Sequence, residues 1–131
     1  MTPPPDQEIE DSFLACVTAF LQKDLSGTLA YIYKDLRILR VRQTVTGDEL
    51  AATFQGWFDS ADFQNAQVPD VIDESSMFVA PSMEFAGEVP GPVYTLNVKA
   101  RHDMSNVIPF WTTYQRYYFV NDGGWKIFAV F

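Results

Sequence analysis

His102, Tyr114 and Arg116 are the residues of this chain best suited by type to proton transfer and oxyanion binding. A His titrates near neutrality and can act as general acid or base. A Tyr hydroxyl and an Arg guanidinium can donate to a carbonyl or carboxylate as charge develops on it. His102 follows Tyr94, Leu96, Val98 and Ala100 at every second position, so it stands at the end of an apolar strand face, where a pocket mouth could lie. Its alternative is a surface His at a strand end, beside Arg101 and Asp103. Tyr114, Arg116 and Tyr118 share one face of the next strand. They are either donors to a ligand or the polar outer face of a dimer contact.

Other chemistries find little support. One His and one Cys are too few for a zinc site, which takes several such ligands. Asp70, Asp73 and Glu74 could meet a hard cation, but they read more simply as a solvated strand edge, and no metal site is expected. There is no P-loop, no dinucleotide-binding glycine pattern and no Gly-x-Ser-x-Gly elbow. Cys16 falls on the buried stripe of a helix and reads as packing rather than as a nucleophile.

A net charge of −8 disfavours nucleic acid, whose phosphates it would repel. Lys34, Arg37, Arg40 and Arg42 form a modest basic cluster, read as a solvated strand edge, with an anionic substrate group as the alternative. The start Met-Thr-Pro-Pro-Pro-Asp lacks a signal peptide's basic and apolar regions, and no run approaches the ~20 apolar residues of a membrane span. A soluble cytoplasmic protein is expected. At 131 residues one domain over 1–131 is expected, with 1–5 as a disordered lead-in. Such a domain buries about 68% of its unfolded surface, and eleven Phe supply a core without staples.

The elements that would position these side chains follow from periodicity. Ile9, Phe13, Cys16, Val17 and Phe20 have helical spacing behind Asp6 as N-cap, predicting a helix over 6–22. A second helix over 24–33 begins at Asp24, and alternation from Leu36 to Arg42 predicts a strand. Thr46-Gly-Asp-Glu49 matches a capping box, and Leu50, Phe54, Trp57 and Phe58 form the apolar face of a helix over 46–60. Val68–Val79 is a strand region interrupted at Pro69, and Pro81–Pro92 is a loop. Strands over 93–103, 111–120 and 125–131 follow, with a loop over 104–109. Asn121-Asp-Gly-Gly124 is a hairpin turn, and Trp125, Ile127, Ala129 and Phe131 alternate with Lys126, Phe128 and Val130. Both faces of this last strand are apolar, as in a strand near the middle of a covered sheet.

Helices first and strands after make an α+β domain. In that order the chain resembles the NTF2-like superfamily, also called cystatin-like or SnoaL-like, which includes ketosteroid isomerases. The residues that carry the resemblance are Ala19 to Asp35, Thr46-Gly-Asp-Glu-Leu through Trp57-Phe58, and Asn121-Asp-Gly-Gly-Trp-Lys-Ile127. It implies three N-terminal helices packed in a strongly curved antiparallel sheet, a cone with an apolar pocket at its mouth. It also implies a homodimer through the outer face of the sheet.

Ketosteroid isomerases use a carboxylate base with a Tyr and a protonated Asp as oxyanion donors. Here the position of the base falls on Arg40, which cannot serve as one. The function expected from the resemblance is SnoaL-like binding of a small apolar or aromatic molecule. It extends to a cofactor-free isomerase, dehydratase or cyclase acting on a carbonyl compound. His102 would then move the proton, Tyr114 and Arg116 would hold the oxyanion, and Phe54, Trp57, Phe58, Tyr94 and Tyr118 would line the ligand. The alternative is a non-catalytic accessory subunit or interaction module.

Overall fold

The structure is a computed structural model that describes residues 5–60, 66–101 and 112–131. Among these the chain forms α1 (Asp6–Leu21), α2 (Leu25–Leu29), β1 (Ile32–Ile38), β2 (Gln43–Val45), α3 (Gly47–Ser60), a helical turn α4 (Val68–Val71), β3 (Ile72–Ser82), β4 (Val93–Ala100), β5 (Tyr114–Asn121) and β6 (Trp125–Val130). The strands form one curved, unclosed six-stranded sheet in the order β2-β1-β6-β5-β4-β3. The expected α+β arrangement of helices against a curved sheet is present. The sheet is antiparallel except where β1 runs parallel to β6. The lead-in before Pro5, His102 and the 104–109 loop lie outside the described residues.

α1 buries Ile9, Phe13, Cys16 and Ala19 on one stripe. Its N-cap is Pro5, so Asp6 sits inside the first turn rather than at the cap. α2 is shorter than its periodicity suggested. The Asp24 carboxylate caps it by accepting from the Gly27 amide at 3.0 Å. It stops at Leu29 because the sheet claims the next residues: the Tyr31 carbonyl accepts from Ile127 N at 2.8 Å. A five-residue helix cannot outweigh that pairing, since short helices are marginal without tertiary support.

β1 ends at Ile38, four residues before the expected end at Arg42. A 3-10 turn over Leu39–Val41 and a left-handed Arg42 (φ 53°) reverse the chain into β2. α3 follows, with the Thr46 carbonyl accepting from the amides of Glu49 and Leu50 at 2.9 Å. The Asp35 carboxylate reaches over from β1 to accept from Gly47 N at 2.6 Å. One acidic side chain thus ties the start of the helix to the strand beneath it.

Pro69 opens a helical turn instead of interrupting a strand, and Asp70 closes that turn by accepting from Gln67 N at 2.9 Å. β3 begins at Ile72 and runs along one edge of the sheet, with a register break between Asp73 and Phe78. Asp73 spends its carboxylate on the Ser75 hydroxyl at 2.6 Å and the Arg101 guanidinium at 3.4 Å. The Ser75 hydrogen bond first, and then Arg101, hold its pKa below the usual carboxylate value.

The terminal hairpin forms as expected. Asn121 Oδ1 accepts from Gly124 N at 3.1 Å, and Gly123 and Gly124 take positive φ (68° and 141°). β6 lies inside the sheet between β1 and β5. Its alternation breaks at a bulge: Phe119 pairs with Ile127, but Tyr118 pairs with Ala129, leaving Phe128 as the extra residue. Trp125, Ile127 and Val130 therefore join the inner core, while Phe128 and Ala129 join a second cluster on the other side.

That second cluster is closed by the chain itself. Residues 83–92 bring Phe85 and Val89 over Val93, Tyr118, Val120, Phe128 and Ala129. Phe85 stands edge-on to Tyr118 (5.3 Å) and to Phe128 (5.5 Å), and the Tyr118 hydroxyl donates to Glu84 at 2.9 Å. Among the described residues no helix is long and apolar enough to cross a membrane.

Candidate functional site

The inner core is not fully filled. Helices α1 and α3 meet the concave face of the sheet around a cavity of about 90 Å³. α1 supplies Phe13, Cys16, Val17, Phe20 and Leu21, and α3 supplies Phe54 and Trp57. The floor is Ile32 and Leu36 of β1, Tyr117 of β5, and Ile127 and Val130 of β6. Helical spacing in α1 and α3 puts these apolar positions on one side, so the same residues that pack the helices also make the wall. Phe20 bridges the two helices, edge-on to Phe54 at 6.1 Å, to Trp57 at 6.5 Å and to Phe58 at 5.2 Å. Phe20, Leu21 and Trp57 are only half-buried, so the cavity approaches the surface beside them.

Two ionisable groups face this space among the described residues, Cys16 and Tyr117. Burial pushes the Cys16 thiol up to about 12, and its weak donor points to the Thr28 carbonyl at 3.8 Å. Burial also raises the Tyr117 phenol well above its ordinary value, with Cys16 adding to the effect. Both are neutral near pH 7. The Tyr117 hydroxyl donates to Gln115 Oε1, and Gln115 Nε2 in turn donates to the Thr112 carbonyl at 3.0 Å. Tyr117 lines the cavity, but its hydroxyl is spent on Gln115, which lies outside the lining, so the enclosure is almost wholly apolar.

The residues singled out from the sequence divide between the two faces. Phe54 and Trp57 line the cavity, and Phe58 is buried just behind them. Tyr94 faces inward but packs edge-on against Trp125 at 5.4 Å, outside the cavity lining. Tyr118 belongs to the outer cluster. Tyr114 is 72% exposed, and Arg116 donates from Nε to Asn97 Oδ1 at 3.0 Å on that same outer face. Neither lines the cavity, because β5 turns Gln115, Tyr117 and Phe119 inward instead. Arg40 lies in the exposed 3-10 turn, with its guanidinium 4.6 Å from the Phe131 ring. His102 lies outside the described residues.

Tyr117 and Gln115 are the polar residues that sequence reading missed. Their signal was present in the same strand, one position out of phase with Tyr114 and Arg116. Aromatic residues on both faces hid which phase was inward. Among the described residues no three His, Cys, Asp or Glu side chains converge as a metal site would require.

No family model and no curated protein matches the chain. Solved structures do. One is a ketosteroid isomerase-like protein from Erwinia carotovora atroseptica, 14% identical, covering 98% of this chain and 95% of that one at a TM-score of 0.48. Another is an NTF2-like protein from Cytophaga hutchinsonii, 17% identical, covering 98% and 96% at a TM-score of 0.45. A third is AusH from Aspergillus nidulans, 17% identical, covering 98% and 84% at a TM-score of 0.41. At these identities and TM-scores the site has to be read from its own side chains.

Proposed function

We propose that this domain binds a small, largely apolar or aromatic molecule in the cavity between α1, α3 and the sheet. The observation that carries this reading is the lining itself, apolar apart from Thr28 and two groups that burial keeps neutral. Binding would draw on apolar burial at roughly 25 cal/mol per Å², less the cost of ordering the ligand. At about 90 Å³ the cavity is smaller than the ~150 Å³ space known to accept benzene. An aromatic ligand therefore requires the half-buried Phe20 and Trp57 to part.

The test is a titration with acetophenone, an apolar ring bearing one carbonyl. Saturable shifts of the Val17, Ile127 and Val130 methyl signals are expected, with a higher melting temperature. Val17→Phe, which fills the space, should remove both effects while the amide spectrum stays native-like. Unmoved methyl signals at high acetophenone, or a folded Val17→Phe protein that binds unchanged, would overturn the reading.

A catalytic form, the cofactor-free isomerase, dehydratase or cyclase, needs a base at the cavity. His102 is the residue to test for that role, and His102→Ala should then remove turnover while binding persists. The second reading, an interaction module or homodimer, is favoured by Phe78, Tyr114 and Phe131, all exposed. Phe78 pairs with Asn97, Asn97 with Arg116, and Arg116 exchanges backbone hydrogen bonds with Phe131. These three large side chains therefore stand in or beside one row across the sheet, as a self-complementary contact would use them. Sedimentation that stays at the monomer mass at micromolar concentration would rule out the homodimer.

A further inference from the structure

Among the described residues, the half of the outer sheet face that 83–92 leave uncovered carries aromatic rings interleaved with cations. One row across the strands runs Phe78, Asn97, Arg116 and Phe131, each joined to the next by the ladder or by backbone hydrogen bonds. Arg40 extends it, with its guanidinium 4.6 Å from the Phe131 ring. The neighbouring row sets Lys99 opposite Tyr114. Residues directly opposite one another in a ladder share a face, so these rings and cations belong to one surface. Phe78, Tyr114 and Phe131 are exposed, and so are Arg40, Lys99 and Arg116.

Charge separates the possible occupants of this surface. The chain has 17 acidic and 9 basic residues, yet three of its cations gather here. Among the ladder-paired residues of β3, β4, β5 and β6 the one acid is Asp73, whose carboxylate is spent on Ser75 and Arg101. Glu74 falls in the register break beyond it. A second copy docked about a twofold axis would set one positive patch against an identical one. A long polyanion would meet the net charge of −8 along its length. A short acidic segment meets the local cations alone, since exposed charges beyond about 8 Å are largely screened. Its apolar side chains would take Phe78, Tyr114 and Phe131 out of water.

We propose that this half of the outer face docks an acidic peptide segment bearing apolar or aromatic side chains. The inference rests on the interaction-module reading, to which it adds the chemistry of the partner, and it is independent of the cavity.

The probe is the peptide acetyl-Asp-Glu-Phe-Gly-Glu-Leu-Asp-amide, with its Asn and Gln counterpart as the uncharged control. The acidic peptide should shift the Asn97, Lys99 and Arg116 amide signals saturably in nitrogen-15 spectra. It should leave the Val17 and Ile127 methyl signals in place. The control at equal concentration should shift the same amides far less. Lys99→Gln with Arg116→Gln should weaken binding at least about fivefold, and salt at about 0.5 M should weaken it severalfold in the unaltered protein. Phe78→Ser should weaken it as well, which separates a ring-lined surface from charge attraction alone. No shift by the acidic peptide, equal shifts by the control, or tighter binding of oligothymidylate than of the peptide would each overturn the proposal. A dimer in sedimentation that Phe78→Ala dissociates would overturn the acidic partner and keep this face an interface. A monomer whose signals the peptide leaves unmoved would overturn both.

Discussion

The two faces of one sheet behave differently here. The inner face carries Leu36, Leu96, Val98, Phe119, Ile127 and Val130 against three helices, yet leaves a cavity. The outer face has no α-helix on it among the described residues, only Leu39 of the 3-10 turn. It is covered on one half by residues 83–92, with Phe85 as the plug, and on the other half it leaves Phe78, Tyr114 and Phe131 exposed. One small domain thus combines an interior cavity under its helices with exposed rings on the opposite face.

Substitutions can sharpen this contrast. Phe119→Ala removes a fully buried inner ring and should cost about 3–5 kcal/mol in denaturant unfolding. Phe85→Ala uncovers the outer cluster while leaving the helices untouched. Since Phe85 is half-buried, about 2–3 kcal/mol is expected, and a cost equal to that of Phe119 would mean that the loop is as integral as the helix layer.

The buried thiol gives the inner face a pH signature. The unfolded chain releases the Cys16 proton near pH 8.5, whereas the folded chain keeps it up to about 12. Between those values the native state binds more protons, so stability is fully present below pH 8 and falls as pH rises. By pH 10 the loss is on the order of 2 kcal/mol. Cys16→Ala should flatten this alkaline decline, and Tyr117→Phe should do so only at still higher pH. Unfolding curves from pH 7 to 10 that show no difference between Cys16→Ala and the parent would break this account. The smallest effect belongs to the exposed ring: Phe78→Ala should change monomer stability by less than about 0.5 kcal/mol. If Phe78 lies at a dimer contact, it should instead shift the sedimentation equilibrium toward monomer.

Much of this contrast was legible in residue order, and the rest was lost for identifiable reasons. α1, α3 and the terminal hairpin announce themselves through helical spacing, the Thr46-Gly-Asp-Glu49 pattern and the Asn-Asp-Gly-Gly turn. Phe54 and Trp57 could be placed on the inner wall because an amphipathic helix has one apolar side. The strands were harder. Strict alternation put Ala129 and Phe131 with Trp125, but the bulge at Phe128 sends Val130 inward in their place. Nothing in a run of Phe, Ala and Val marks where a ladder will slip. The same ambiguity placed Tyr114 and Arg116 on the inner face, whereas pairing with β4 and β6 turns Gln115 and Tyr117 inward. Register is a long-range property, and one residue of phase exchanges an inner face for an outer one.

The irregular course of β3 has a bearing on how the molecule survives at high concentration. An unclosed sheet offers its border strands to any neighbouring chain that can add to the ladder, and eleven residues would make a long template. This border is poorly suited to templating. The register breaks between Asp73 and Phe78, Asp73 and Glu74 place negative charge on it, and Pro81 has no amide proton to donate. At the opposite border β2 extends for only three residues. Lateral polymerisation is thereby discouraged from both directions, and the domain can keep an open sheet without growing into a fibre.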